Sequence, residues 1–179
     1  MTTHRVWLTR ANGLTLLRLL IAPVLAVAIA SGDATAAAVL FWLAVATDVA
    51  DGRVARRFGE VSAHGRVIDH AADATFVSVG AAALAFTGVL PLALAPLIVA
   101  AFLQYAADLR FQSSREPRAS RLGHWNGIAY YVVVAVPINR DALRLAWPAP
   151  MWVEAFGWLL VATTLVSIAS RLGFSAPAE

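Results

Sequence analysis

The sequence contains no cysteine and no lysine, and only two methionines. Without cysteine, neither a disulfide framework nor a thiolate site is available. Charge is scarce too: charged residues are 14% of the chain, against about 25% in ordinary soluble domains. Apolar residues fill the space, at 60% of the chain with a mean hydropathy of +0.70, where soluble domains average roughly 45–50%. These values predict an all-α integral membrane protein, and 179 residues leave room for a single domain over 1–179. A net charge of +3 and a pI near 10.2 would suit nucleic-acid binding. The arginines, however, lie in short segments between apolar runs, as on the cytoplasmic side of a membrane, so no nucleic-acid partner is expected.

A bilayer span needs about 20 apolar residues, and the chain offers candidates near 14–31, 34–57, 66–88, 91–109, 126–139 and 151–171, the fifth being short. Arg5 and Arg10 precede the first; Arg53, Arg56, Arg57 and Arg66 lie between the second and third; Arg110, Arg115, Arg118 and Arg121 lie between the fourth and fifth. The opposite side holds Arg140 and Arg144. The positive-inside rule then places both termini and the arginine-rich loops on the cytoplasmic face of a multi-pass inner-membrane protein. No cleavage site follows the first apolar stretch, which is expected to be a retained helix.

Four aspartates interrupt this apolar background within residues 48–73. Asp48 and Asp51 are three apart at the end of the second helix, and Asp69 and Asp73 are four apart at the start of the third, so each pair shares a helix face. A short turn is expected to make the two helices antiparallel neighbours and to bring all four carboxylates together. One Asp at the bilayer centre costs roughly 2.5–3.5 kcal/mol, and repulsion between like charges adds to that. Two divalent cations offset both, and a carboxylate set without His or Cys suits Mg²⁺ or Mn²⁺. Gly52 and Ala55 beside Asp51, with Gly65 one turn before Asp69, leave room for a bulky ligand, and Arg56 offers a forked cation for a phosphate. A solvated loop accounts for Arg53, Arg57 and Glu60. It does not account for four aspartates at helical spacing bracketed by small residues.

The string Asp48-x2-Asp51-Gly52-x2-Ala55-Arg56-x8-Gly65-x3-Asp69-x3-Asp73 resembles the full signature of the CDP-alcohol phosphatidyltransferase family. The resemblance implies a membrane enzyme that transfers a phosphatidyl group from a CDP-linked lipid to a small alcohol and releases CMP. It also implies that Asp48, Asp51, Asp69 and Asp73 hold two metals, that Asp73 is the general base, and that Gly52, Ala55, Arg56 and Gly65 border the cytidine diphosphate. It further suggests a homodimer surrounded by membrane lipids. Residues 11–18, "ANGLTLLR", are similar to the family's first-helix entry through Asn12, Thr15 and Arg18, with Ala11 in place of a proline. Thr15 is read as lining the cleft; Asn12 either lines it or caps the helix, and Arg18 either lines it or snorkels to the headgroups.

Acceptor residues are harder to place. Gly123-His124-Trp125-Asn126-Gly127 departs from the Gly-Lys-x-x-Thr string common in relatives, and "DHAADA" departs from the "DPVADK"-like string of the glycerophosphate enzymes. The cationic rim favours glycerol 3-phosphate, with Arg110 and Arg118 as its contacts; serine, inositol phosphate, a choline-type alcohol or a phosphatidyl lipid are the alternatives. Asp108 is expected in a salt bridge, His70 in packing or behind the ligands, and the tryptophans at the membrane interfaces. A divalent-cation carrier is the reading from a different class. It would repeat acidic residues along a path through the membrane, whereas here they crowd one face.

Overall fold

The structure, a computed structural model, describes residues 10–58, 63–111 and 121–173, and within these the side chains of 15–50, 67–108 and 121–171. Its six helices are α1 (Arg10–Ala30), α2 (Ala34–Phe58), α3 (Ala63–Phe86), α4 (Leu94–Phe111), α5 (Arg121–Ala142) and α6 (Pro150–Gly173), with no strand among the described residues. Each apolar run of the sequence becomes a helix. The fifth run, which looked short, belongs to a helix of 22 residues whose first turns carry the polar string Arg121–Asn126. Hydropathy saw only its apolar part.

Backbone chemistry sets the turns between α1 and α2 and between α3 and α4. Gly32 (φ 75°) and Gly88 (φ 78°) adopt the left-handed conformation that ends a helix without a Cβ penalty. The amide after each glycine reaches back five residues, Asp33 N–H to Ala28 O at 3.0 Å and Val89 N–H to Leu84 O at 2.8 Å. Asp33 then caps α2 by accepting the Ala36 N–H at 2.9 Å. Where α5 ends, Arg144 takes the left-handed position (φ 54°) that glycine fills at the other two.

α1 packs on both α2 and α3, α2 on α5, α3 on α4 and α5, and α6 on α4 and α5. The core runs along these contacts through Leu25, Phe76, Leu94, Val133 and Val134, all fully buried or nearly so. Small residues permit the close approaches, as where Gly157 of α6 lies against Pro91. Among the described residues, α2 and α3 do not pack broadly on each other as expected of antiparallel neighbours; α1 lies against both, and they meet at their charged ends.

The outward faces are apolar. Leu20, Val27, Val39, Leu103, Trp152, Leu159 and Val166 are all exposed. Two helical stretches, Val67–Phe86 and Pro150–Arg171, are long and apolar enough by themselves to cross a membrane, while Thr15–Ala30, Ala34–Ala50 and Leu94–Asp108 are shorter apolar stretches. The expectation of an all-helical chain is met in six helices, two of which have membrane length and composition.

Candidate active site

Asp48 on α2 and Asp69 and Asp73 on α3 converge: each offers a carboxylate oxygen, and these oxygens lie within 4.8 Å of one another. The three side chains are 38%, 40% and 22% exposed, open enough for a ligand to reach them. The i, i+4 spacing of Asp69 and Asp73 places them one above the other on α3. Unscreened, three carboxylates this close repel strongly.

Part of the answer is Arg18. Its side chain is 0% exposed, and it donates from Nη2 to Asp48 Oδ1 at 2.7 Å, from Nη1 to Asp69 Oδ1 at 3.2 Å, and from Nη1 to Asp73 Oδ1. Snorkelling to the headgroups is therefore excluded. The reason is geometric: α1 lies against both α2 and α3, and Arg18, three residues after Thr15, points into the junction. Thr15, one turn earlier, is buried on the same side (5% exposed).

Tyr131 on α5 contributes a contact that sequence reasoning missed. Its hydroxyl donates to Asp73 Oδ1 at 2.9 Å. The ring is held by Phe76, near-parallel at 6.4 Å, and by the edge of Phe41 at 6.4 Å. The sequence offered one faint signal, a Tyr130–Tyr131 pair within an apolar helix, since a phenol buried there needs a polar partner. Tyr130 meets that need elsewhere, at Thr164 Oγ1 2.6 Å away.

Beside Asp73 opens a cavity of about 470 Å³ between α3, α4, α5 and α6. Its polar groups include His70, Gln104, Tyr105, His124 and Asn126, and apolar side chains such as Val77, Ile98 and Phe102 complete its wall. His70 lies edge-on to Tyr105 at 5.5 Å and outside the oxygen cluster, in keeping with a packing role. Asp108 pairs with Arg171 of α6 at 3.2 Å, a salt bridge as expected, though to a partner far along the chain. Trp42, Trp125, Trp147, Trp152 and Trp158 are exposed.

The remaining expected residues are placed only in part. Asn12 falls within α1, Asp51, Gly52, Ala55 and Arg56 within α2, Gly65 within α3 and Arg110 within α4, but their side chains lie outside the described residues, as does the whole of Arg118. The donor set that is described, three carboxylates with no nitrogen or sulfur ligand, fits a hard divalent cation. Three carboxylates and one guanidinium carry a net −2, the charge one such ion neutralises.

Comparison with known proteins bears on what the cluster serves. The CDP-alcohol phosphatidyltransferase profile matches residues 8–169. The chain is 34% identical over 170 residues to a "Probable phosphatidylglycerophosphate synthase" of Mycobacterium tuberculosis, covering 90% of this chain and 80% of that protein. It is also 36% identical over 116 residues, or 63% of its length, to the "Cardiolipin synthase (CMP-forming) / mitochondrial hydrolase fusion protein" of Schizosaccharomyces pombe, of which the matched part is 20%. No solved structure matches the chain significantly. The chain belongs to the CDP-alcohol phosphatidyltransferase family, phosphotransferases of phospholipid biosynthesis that move a phosphatidyl group from a CDP-linked lipid to an alcohol.

Proposed function

We propose that this chain is a six-span, single-domain inner-membrane enzyme that transfers the phosphatidyl group of CDP-diacylglycerol to an alcohol whose hydroxyl is deprotonated by Asp73. The observation that carries the reading is the convergence of Asp48, Asp69 and Asp73 from two helices beside a cavity large enough for part of a substrate. Exposed apolar side chains on the helices suit a lipid surround, and the arginine distribution suits cytoplasmic termini and a cytoplasmic site. The domain takes in 1–179, and the active form is a homodimer.

In this reading Asp48, Asp51, Asp69 and Asp73 hold two divalent cations, Mg²⁺ or Mn²⁺. When bound, such ions neutralise charge on the diphosphate and on the departing CMP. The protein's own groups do the rest. Asp73 borders the cavity and can take the acceptor's proton. The freed alcohol oxygen bonds to the lipid-side phosphorus, and the phosphorus–oxygen bond to CMP breaks with its electron pair leaving on CMP. Gly52, Ala55 and Gly65 give the diphosphate close access to backbone, Arg56 steadies a phosphoryl oxygen, and Asn12 and Thr15 line the cleft.

Glycerol 3-phosphate is the proposed acceptor, gripped by Arg110 and Arg118, and the name of the mycobacterial relative supports it. A second reading has its own observation: the cavity beside Asp73 has Val77, Ile98 and Phe102 in its wall, which suits a lipid-borne alcohol such as the one implied by the name of the fission-yeast relative. Incubating purified protein with radiolabelled CDP-diacylglycerol and either glycerol 3-phosphate or phosphatidylglycerol separates the two. Labelled phosphatidylglycerophosphate is the expected product. Labelled cardiolipin would transfer the assignment to the lipid acceptor, and no labelled lipid with any alcohol would refute the enzymatic reading.

A further inference from the structure

Arg18 is buried more deeply than any of the carboxylates it meets, and it comes from a helix that carries none of them. Its guanidinium reaches one oxygen, Oδ1, on each of Asp48, Asp69 and Asp73, and so ties α1 to α2 and to α3 at a single point. Among the described residues, Arg18 leaves the second oxygen of each carboxylate free of its own donors. Only a planar fork with several fixed donors can span three acceptors in this way, and a guanidinium keeps its charge in any surroundings. Its Nε is buried without a partner, so the side chain is placed for these three contacts and not for full satisfaction of its own donors. The divalent-cation reading of the cluster says nothing of why a fixed positive charge should lie against the ligands.

We propose that Arg18 is a positioning residue: an internal counter-cation that assembles the three aspartates before any metal arrives and leaves their second oxygens for the ion. This rests on the reading of the aspartates as metal ligands. Without Arg18, three carboxylates on two helices that do not pack broadly on each other would swing apart under their own repulsion. With it, the ion meets a prepared set, and the side chain acts as the hydrogen-bonded groups behind metal ligands commonly do. A competitor would act in the opposite sense, since it would have to leave before an ion could enter.

The two senses differ in sign, which makes them separable. Mn²⁺ binding by the full chain in detergent is measured by electron paramagnetic resonance for wild type, Arg18→Gln and Arg18→Lys, together with kcat for CMP release at saturating Mn²⁺. Both variants are expected to bind Mn²⁺ about ten- to a hundredfold more weakly, and kcat is expected to stay low in both even when metal saturates. Lysine keeps the charge but cannot fork across three carboxylates. Tighter Mn²⁺ binding by Arg18→Gln would overturn the proposal by making Arg18 a competitor. Wild-type affinity and kcat in Arg18→Lys would overturn it by making charge alone sufficient. Should Arg18→Gln fail to fold, the lysine variant, which keeps a buried cation, decides. Wild-type protein that binds no Mn²⁺ removes the metal reading and this proposal with it; a wild type that binds beside unchanged variants removes this proposal alone.

Discussion

Asp73 has donors from two directions on one oxygen, Arg18 from α1 and Tyr131 from α5 at 2.9 Å. A carboxylate held in this way presents its other oxygen in a fixed direction, which is what the proposed proton transfer from a bound alcohol requires. Asp73→Asn keeps the shape and removes the basicity, so it should abolish turnover while CDP-lipid binding persists. Tyr131→Phe removes one donor only; losing a hydrogen bond to a charged group costs about 1.5 kcal/mol, roughly tenfold in kcat. Steady-state CMP release checks both, and a Tyr131→Phe enzyme with wild-type kcat would show that the phenol does not orient the base. At this scale the sequence was legible where chemistry repeats at helical spacing. Asp48, Asp69 and Asp73 announced themselves in that way, because like charges three or four residues apart in an apolar chain demand a partner. Arg18 was marked only by its likeness to the family's first-helix entry, and Tyr131 not at all, because their partners are 30 to 58 residues away and neither local spacing nor composition encodes that pairing.

Element boundaries followed hydrophobic content and glycine positions. The turns at Gly32 and Gly88 were readable because the left-handed conformation there favours glycine. The start of α5 was not, since Arg121–Asn126 is largely polar and lacks the apolar run that marked the other helices. Contact between elements is close where α6 meets the turn before α4. A Cβ on Gly157 would lie 2.6 Å from Pro91 Cδ and 3.2 Å from Leu90 Cδ2, and the proline ring cannot yield as a flexible chain end would. Gly157→Ala gains about 1 kcal/mol of helix propensity but must push α6 off that turn, an overpacking cost of about 1–3 kcal/mol. The expected outcome is a lower melting temperature in detergent. Gly127→Ala, with nothing within 4 Å of its Cβ, should melt at or above the wild type. Equal behaviour of the two variants would mean that α6 does not sit this close to Pro91.

Among the described residues, apolar side chains face outward along the helices while Arg18 of α1, Asp48 of α2 and Asp69 and Asp73 of α3 gather at one point. Composition alone implied that inversion, because a chain with 14% charged residues has too few polar groups to cover a soluble surface. The order in which the helices pack, with α1 lying against both α2 and α3 while those two meet broadly only through it, is a tertiary fact that no local pattern carries. Its consequence is a charge cluster that three helices hold jointly and that borders the cavity through Asp73. The most direct test is CMP release from CDP-diacylglycerol by purified wild-type protein as Mg²⁺ or Mn²⁺ is removed with EDTA and then restored. Release should stop without the ion and return with it, and Asp69→Asn should remain inactive at any metal concentration that restores the wild type. Undiminished release in EDTA, or an Asp69→Asn enzyme as fast as the wild type, would contradict the assignment of the aspartates as the seat of the reaction.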